Sequence, residues 1–233
     1  MKIKILASSS AGNCHWISDG RTSLLLDAGI PIGEVQKGCN FNLSSLGGCL
    51  ITHEHNDHAK IGAELMKRSV DVYTSQGTAT ARGWASHRLH IVKSQEHFNV
   101  GSFKVMAFDV EHDSPEPLGF FIYSSVTKEK LLYCTDTFYV KYRFDGLTHI
   151  MCECNYDRQI LLDNVKTGEV EPFVAKRIMN SHMSIDTLLN MLKANDMRRV
   201  QKIYLLHISS GNGNAVAFKE QVQKLTGAEV YIC

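Results

Sequence analysis

The sequence predicts an α/β protein in which two β-sheets pack face to face with helices on the outside. Short apolar runs typical of strands alternate with amphipathic stretches typical of helices along the whole chain. This alternation occurs in both halves of the 233 residues, without a linker, a repeat or a low-complexity segment. We therefore expect one domain, 1–233, made of two similar α/β halves.

The first half opens with three strand-like runs separated by turn-forming residues. Asp19-Gly20 stands between the second and third runs and is a strong hairpin signal. The run Leu24–Leu26 is continuously apolar, as in strands covered on both faces. The predicted strands here are 2–7, 15–18, 23–27, 48–52, 71–74, 89–92, 103–110 and 118–124, with helices near 58–68 and 76–84 and a hairpin turn near 99–102.

The second half alternates in the same way. Four apolar positions recur at helical spacing after Ser184, which is placed as the N-cap of that helix. The predicted strands of this half are 130–135, 148–153, 202–206 and 229–232, and the predicted helices are 184–193 and 214–225. No element is predicted between 154 and 183.

Composition limits the class of protein. The net charge of +1 gives no global attraction to nucleic acid or to an anionic membrane, so a polyanion site would have to be a local patch. The seven scattered cysteines resemble reduced, cytosolic usage rather than a disulfide framework. The N-terminus has no apolar signal region, and no run approaches the ~18 residues that span a bilayer. We expect a cytoplasmic protein.

The most informative motif is Thr-His-Glu-His-Asn-Asp-His at 52–58. It places three imidazoles and the Asp57 carboxylate within six positions, His53 to His58. Imidazole and carboxylate are the ligands that Zn²⁺, Mn²⁺ and Fe²⁺ prefer. The motif follows a predicted strand and precedes a predicted helix, and open α/β sheets place ligand sites at that edge. The alternative to a metal site is a solvated polar loop that is rich in histidine.

Three further coordinating residues follow predicted strands elsewhere. His112 follows the strand that ends at Val110, Asp136 follows Leu131–Thr135, and His207 follows Ile203–Leu206. Each alone is an ordinary loop residue more often than a ligand. The same placement at four strand ends favours a shared metal site.

The order of these motifs resembles that of the metallo-β-lactamase superfamily across nearly the whole chain. The resemblance starts at Asp27 in Leu-Leu-Leu-Asp-Ala-Gly and ends at His207. It implies an αββα sandwich of two mixed β-sheets flanked by helices, with two divalent ions, Zn or Mn. It also implies one ligand set of His53, His55 and His112, another of Asp57, His58 and His207, a bridging Asp136, and an Asp27 that orients a ligand.

Finer motifs are similar to those of the YycJ (WalJ)-type subfamily, whose bacterial and phage members are regarded as DNA exonucleases. They are Ser9–Asn13, Glu153-x-Asn155, Ser181–Ser184 and Leu206–Ser209 with Gly211–Asn214. The chain departs from that pattern at Ser181, where Gly is usual, and at Tyr156, where His is usual. At the second position this chain therefore has a phenol in place of the family's imidazole.

The function expected from this resemblance is a dinuclear metal-dependent phosphodiesterase, most simply a DNA exonuclease, in which a metal-bridging hydroxide attacks phosphorus with the help of the metal-binding Asp57. His182 is the candidate acid for the leaving oxygen, with a ligand or plain loop role as alternatives. Ser9, Ser10, Asn13, Asn155 and Asn214 could bind substrate or be turn residues. The rivals are a small-molecule hydrolase (cyclic phosphodiesterase, thioesterase or lactam hydrolase) and a metal-stabilised binding protein without turnover.

Overall fold

The computed structural model describes residues 1–233 and divides into two compact units. The first comprises 1–109 and 114–130, and the second comprises 110–113 and 131–233. No helix is long and apolar enough to cross a lipid bilayer. The single domain, 1–233, stays a prediction.

The first unit contains a mixed six-stranded sheet with the order β1-β2-β3-β4-β5-β6. Its strands are β1 (Lys2–Ser9), β2 (Gly12–Ser18), β3 (Ser23–Leu26), β4 (Leu46–Leu50), β5 (Val72–Thr74) and β6 (Leu89–Ile91). Pairing is antiparallel up to β3 and parallel from β3 to β6. Its helices are α1 (Ile32–Gly38), α2 (Asn56–Ala59), α3 (Gly62–Lys67) and α4 (Gln76–Ala81). β3 is almost wholly buried, as its apolar run predicts.

Three more strands of this unit form an antiparallel meander, β7 (His97–Val100), β8 (Phe103–Asp109) and β9 (Leu118–Ser124). The predicted hairpin turns are confirmed, with φ of 92° at Gly20 and 57° at Gly101. The Asp19 carboxylate fixes the first turn. One oxygen accepts from the backbone N–H of Arg21 and Thr22 at 3.0 and 2.9 Å, and the other accepts from the hydroxyls of Ser102 and Ser124, each at 2.7 Å.

The second unit is built on four parallel strands, β10 (Lys130–Cys134), β11 (His149–Glu153), β12 (Lys202–Leu206) and β13 (Glu229–Ile232). β11 is buried at every position, as expected for a parallel strand covered on both faces. Its helices are α5 (Arg158–Thr167), α6 (Pro172–Ser181), α7 (Ile185–Ala194) and α8 (Ala215–Thr226). The predicted N-cap is confirmed, since the Ser184 side chain accepts from the N–H of Thr187.

One predicted helix is wrong in its extent. The region 58–68 forms two short helices, α2 and α3, instead of one. Around the break, the Ile61 N–H donates to the Ala28 carbonyl at 3.1 Å, and the Ala28 N–H donates to the His58 carbonyl at 2.7 Å. These bonds to the loop after β3 replace the intrahelical bonds that a continuous helix would make.

Candidate metal centre

The histidine motif lies on the loop between β4 and α2, as predicted. His53 and His58 are buried, and their rings lie 4.2 Å apart by centroid. His53 Nε2 is 3.1 Å from His55 Nδ1, and His58 Nε2 is 3.4 Å from an Asp57 carboxylate oxygen. Ligand atoms held 2.0–2.1 Å from a tetrahedral zinc lie roughly 3.4 Å from each other. The separation within each pair therefore fits two ligands of the same metal ion.

Hydrogen bonds turn the ligand nitrogens of this loop in fixed directions. His58 Nδ1 donates to Asp27 at 2.8 Å, and His53 Nδ1 lies 3.0 Å from the Thr52 hydroxyl, which itself donates to Asp27. The Thr52 N–H also donates to Asp27, at 2.8 Å. Since the carboxylate can only accept, the proton of His58 is on Nδ1, and Nε2 carries the lone pair that a metal ion would take. Metal-binding histidines use this arrangement, and it places Asp27 where the sequence expects a ligand-orienting residue.

The hairpin of β1 and β2 carries three candidate residues, Ser9, Ser10 and Asn13, and brings one of them to the motif. Asn13 is buried, and its amide nitrogen is 3.0 Å from His58 Nε2 and 3.0 Å from the Ser9 carbonyl. Its side-chain oxygen is buried without a hydrogen-bond partner, which leaves an acceptor beside the ligand nitrogens. Ser9 and Ser10 are exposed, and the Ser9 hydroxyl accepts from the Ala11 N–H at 3.2 Å.

The second unit assembles the other predicted ligands at the ends of its strands. His207 Nδ1 donates to Asp136 at 2.8 Å. His112 Nδ1 donates to the Ser181 carbonyl at 2.9 Å, so that its Nε2 is available, 3.9 Å from Asp136. Asp136 and His207 both have positive φ, 47° and 52°. This left-handed conformation, which Asp27 shares at 59°, is rare outside glycine and turns each side chain sharply at the strand end.

Glu153 is a central residue that the predicted site leaves out. It is fully buried at the end of β11, and one carboxylate oxygen accepts from the N–H of Thr137 and of Met183 at 3.0 and 3.1 Å. The other oxygen is 2.5 Å from His182 Nδ1 and 3.4 Å from His207 Nδ1. In the sequence, Glu153 is recognisable as a charged residue inside the apolar run 150–154, because charged residues are rarely buried.

Two carboxylates, Asp136 and Glu153, raise the pKa values of the imidazoles next to them. Burial alone would lower the pKa of His207, but Asp136 and Glu153 outweigh it and raise that pKa to about 10. Burial is likewise outweighed at His182, where Glu153 raises the pKa above its usual value. At His112 burial prevails and the pKa is lowered. The carboxylates therefore favour the protonated form of His182, and burial favours the neutral form of His112.

His182 lies between α6 and α7, in the loop where the sequence places it. One donor atom each from Asp136, Glu153, His182 and His207 lies within 4.8 Å of the others. This spacing would also suit a metal, so the ligand role for His182 stays an alternative to the acid role.

The two remaining candidates have structural contacts. The Asn155 amide donates to the His207 carbonyl at 2.8 Å and so fixes the backbone of that residue. Asn214 is the N-cap of α8, with its side chain accepting from the Ala217 N–H at 3.1 Å. Neither contact tests a role in substrate binding.

Comparison with known proteins identifies the family of this fold. Residues 23–208 match the family model described as "Beta-lactamase superfamily domain". The chain is 30% identical to "Exodeoxyribonuclease WalJ" of Streptococcus pneumoniae, over 98% of this chain and 90% of that protein. It is 26% identical to "Exodeoxyribonuclease YycJ" of Bacillus anthracis, over 91% of this chain and 84% of the relative.

A solved structure shows the same architecture. The metallo-beta-lactamase fold protein YhfI from Bacillus subtilis superposes with a TM-score of 0.74 at 14% identity, covering 99% of this chain and 95% of that one. This likeness confirms the predicted fold class of two mixed β-sheets flanked by helices. The fold implies divalent metal ions, and the His/Asp clusters of both units have the donor chemistry to hold them.

Proposed function

We infer that this chain, which belongs to the Beta-lactamase superfamily, is a metal-dependent exodeoxyribonuclease that removes nucleotides from DNA. The observation that carries the proposal is its 30% identity, along 98% of its length, with a relative named as an exodeoxyribonuclease. The buried, unbridged cysteines support an assignment to a reducing compartment such as the cytoplasm.

Two divalent ions, zinc or manganese, are part of the proposal. The proposed ligands are those that the sequence indicates, His53, His55, Asp57, His58, His112, Asp136 and His207. Bound divalent ions lower the pKa of water and polarise phosphoryl oxygens, which suits hydrolysis of a phosphodiester at neutral pH. The carboxylates of Asp57 and Asp136 supply the negative charge that favours binding of two dications.

His182 is proposed as the general acid. Its Nδ1 is taken by the bond to Glu153, so Nε2 is the atom that can deliver a proton to the leaving oxygen of the nucleotide. Glu153 in turn is held by two backbone N–H groups, which fixes the position of the imidazole. The alkoxide released from DNA is a poor leaving group without a proton, so an imidazole that can donate one suits a DNA substrate.

Substrate contacts are proposed for the first loop. The exposed hydroxyls of Ser9 and Ser10 can donate to a phosphate, and Asn13 offers an amide next to His58. For Asn155 and Asn214, contacts with substrate would come in addition to the backbone bonds described above.

The test is an assay on protein stripped with a chelator and reloaded with Zn²⁺ or Mn²⁺. We expect metal-dependent release of nucleotides from 5′-phosphorylated DNA, less from RNA of the same sequence, and slow turnover of bis-p-nitrophenyl phosphate. His207→Ala serves as the matched inactive protein. No nucleotide release with either metal, beside rapid hydrolysis of a thioester or lactam, would overturn the proposal in favour of a small-molecule hydrolase.

A further inference from the structure

A chain of net charge +1 needs a local surface to hold a polyanion. Four cations of the second unit are paired with carboxylates, which lowers the positive potential around them. The pairs are Lys166–Asp163 at 2.8 Å, Arg177–Asp113 at 3.2 Å, Arg198–Asp196 at 2.7 Å and Lys202–Glu229 at 4.0 Å. A polyanion site is better sought where cations lie beside other groups that can bind nucleic acid.

The segment that directly follows Asp136 combines aromatic and basic side chains. It reads Phe-Tyr-Val-Lys-Tyr-Arg at 138–143 and is named here the aromatic–basic segment. The Phe138 and Tyr139 side chains are 39% and 49% exposed, although large aromatic residues usually lie in the core. Lys141 Nζ lies 5.3 Å from the centre of the Tyr142 ring. Arg143 is exposed and makes no ion pair.

The backbone of this segment is fixed although it belongs to no helix or strand. The Phe138 N–H donates to the Glu111 carbonyl at 3.1 Å, and the Phe144 N–H donates to the Asn195 side chain at 2.7 Å. Val140 and Phe144 are buried and anchor it from below. The backbone that carries the exposed rings is therefore held in place before any ligand arrives, which reduces the entropy lost on binding.

The segment forms one wall of a cleft of about 340 Å³, and α7 forms the other. Tyr139, Tyr142 and Arg143 line the first wall, while Thr187, Asn190 and Asn195 line the second. Aromatic faces, cations and amide groups in one groove match the composition of sites that bind single-stranded nucleic acid.

We propose that the aromatic–basic segment binds the single strand of DNA that is being degraded, a proposal that rests on the exodeoxyribonuclease function. Unstacked bases pack on Tyr139 and Tyr142, and the adjoining phosphates lie near Lys141 and Arg143. In a duplex the base faces are covered by their neighbours, so these rings select unpaired nucleotides. The eight residues from Asp136 to Arg143 can span at most about 25 Å, a length that corresponds to several nucleotides, and they start at the predicted metal ligand.

The experiment measures binding without hydrolysis. A fluorescein-labelled thymidine oligonucleotide of about 15 residues, with phosphorothioate linkages that resist cleavage, is titrated with the metal-loaded protein and followed by anisotropy. We expect Tyr139→Ala and Tyr142→Ala each to raise Kd by about 5- to 100-fold. The Tyr→Phe variants, which keep the stacking face, should bind like wild type. Phe173→Ala removes an even more exposed aromatic, on α6 and outside the segment, and serves as the control.

Salt dependence tests the cationic half of the proposal separately. Each phosphate contact on a single strand contributes a slope of about −0.7 to log K against log salt. Lys141→Ala combined with Arg143→Ala should therefore flatten the slope by about 1.4. Lys224→Ala on α8, also an exposed cation, should leave it unchanged.

The outcomes separate this inference from the function on which it rests. Tyrosine variants that bind the oligonucleotide as wild type does, in a protein that degrades DNA, would overturn the segment's role alone. An equal loss of affinity for blunt duplex DNA would overturn base stacking. A wild-type protein that binds the oligonucleotide through this segment but releases no nucleotides would instead overturn the exonuclease.

Discussion

Replacing Glu153 by Gln should disable the proposed acid while preserving the shape of the site. The two backbone N–H groups of Thr137 and Met183 need an acceptor, so the amide oxygen of Gln must take that side. The amide nitrogen then stands where a carboxylate oxygen lies 2.5 Å from His182 Nδ1. His182 must accept at Nδ1 and carry its only proton on Nε2, and it also loses the negative charge that raises its pKa. Both changes lower the fraction of His182 that is present as imidazolium.

The size of the effect follows from the step that the proton serves. General acid catalysis contributes typically about 10²–10⁴-fold, so DNA hydrolysis should fall by that factor. Bis-p-nitrophenyl phosphate should lose far less, because p-nitrophenolate leaves readily without a proton. Rates on both substrates are compared for wild type, Glu153→Gln and the control Glu171→Gln, whose exposed side chain makes no capping bond. Elemental analysis must accompany them, since Glu153 also lies 3.4 Å from His207. Equal loss on both substrates at unchanged metal content would refute the reasoning.

Three further predictions concern metal content, histidine roles and stability. His58→Ala should empty one site, so that elemental analysis falls from two ions per chain toward one; wild type with at most one ion in excess Zn²⁺ or Mn²⁺ would contradict a dinuclear centre. His182→Ala should keep its metal and lose rate, whereas His207→Ala should lose metal, and the reverse result would mean that their roles are exchanged. Asp19→Ala should lower the free energy of unfolding by about 2–4 kcal/mol, because two backbone N–H groups and two hydroxyls lose their acceptor. Burial would raise the pKa of Asp19, but those hydrogen bonds lower it overall. The part of this stabilisation that depends on the ionised carboxylate is therefore present above about pH 4 and is lost as the pH falls through the folded-state pKa. Urea unfolding from acid to neutral pH measures it, and a difference between the two proteins that does not change with pH would argue against this account.

Local signals explain what the sequence could predict of the fold. The turn at Asp19-Gly20 and the cap at Ser184 depend on neighbouring residues, and both predictions are confirmed. The break between α2 and α3 depends on hydrogen bonds with Ala28, some 30 positions away along the chain, which no local pattern reveals. Two helices between 154 and 183 escaped prediction although their signals are present. Asp157 caps α5, and Gly168 ends it with a φ of 80°.

The same distinction between local signals and long-range contacts applies to the site. Residues at strand ends could be named from the pattern, because an apolar run followed by His or Asp is visible in the sequence. The resemblance to a known family supplied their roles. Glu153 was missed as a site residue because its importance lies in its partners, His182 and two backbone groups that meet it only in the folded chain.

At three of these positions, the side chains of the predicted site are carried by a strained, left-handed backbone. Asp27, Asp136 and His207 each hold a positive φ that L-residues adopt at a cost of about 1 kcal/mol. Glycine would adopt the same backbone without that penalty, but it would remove the carboxylate or imidazole. That loss would cost more than the strain, because the buried Asp27 carboxylate accepts hydrogen bonds from Thr52 and His58, and a buried donor left without its partner costs about 1–3 kcal/mol. The hydrogen bonds of the ligand-bearing side chains therefore offset the strain of the backbone that carries them.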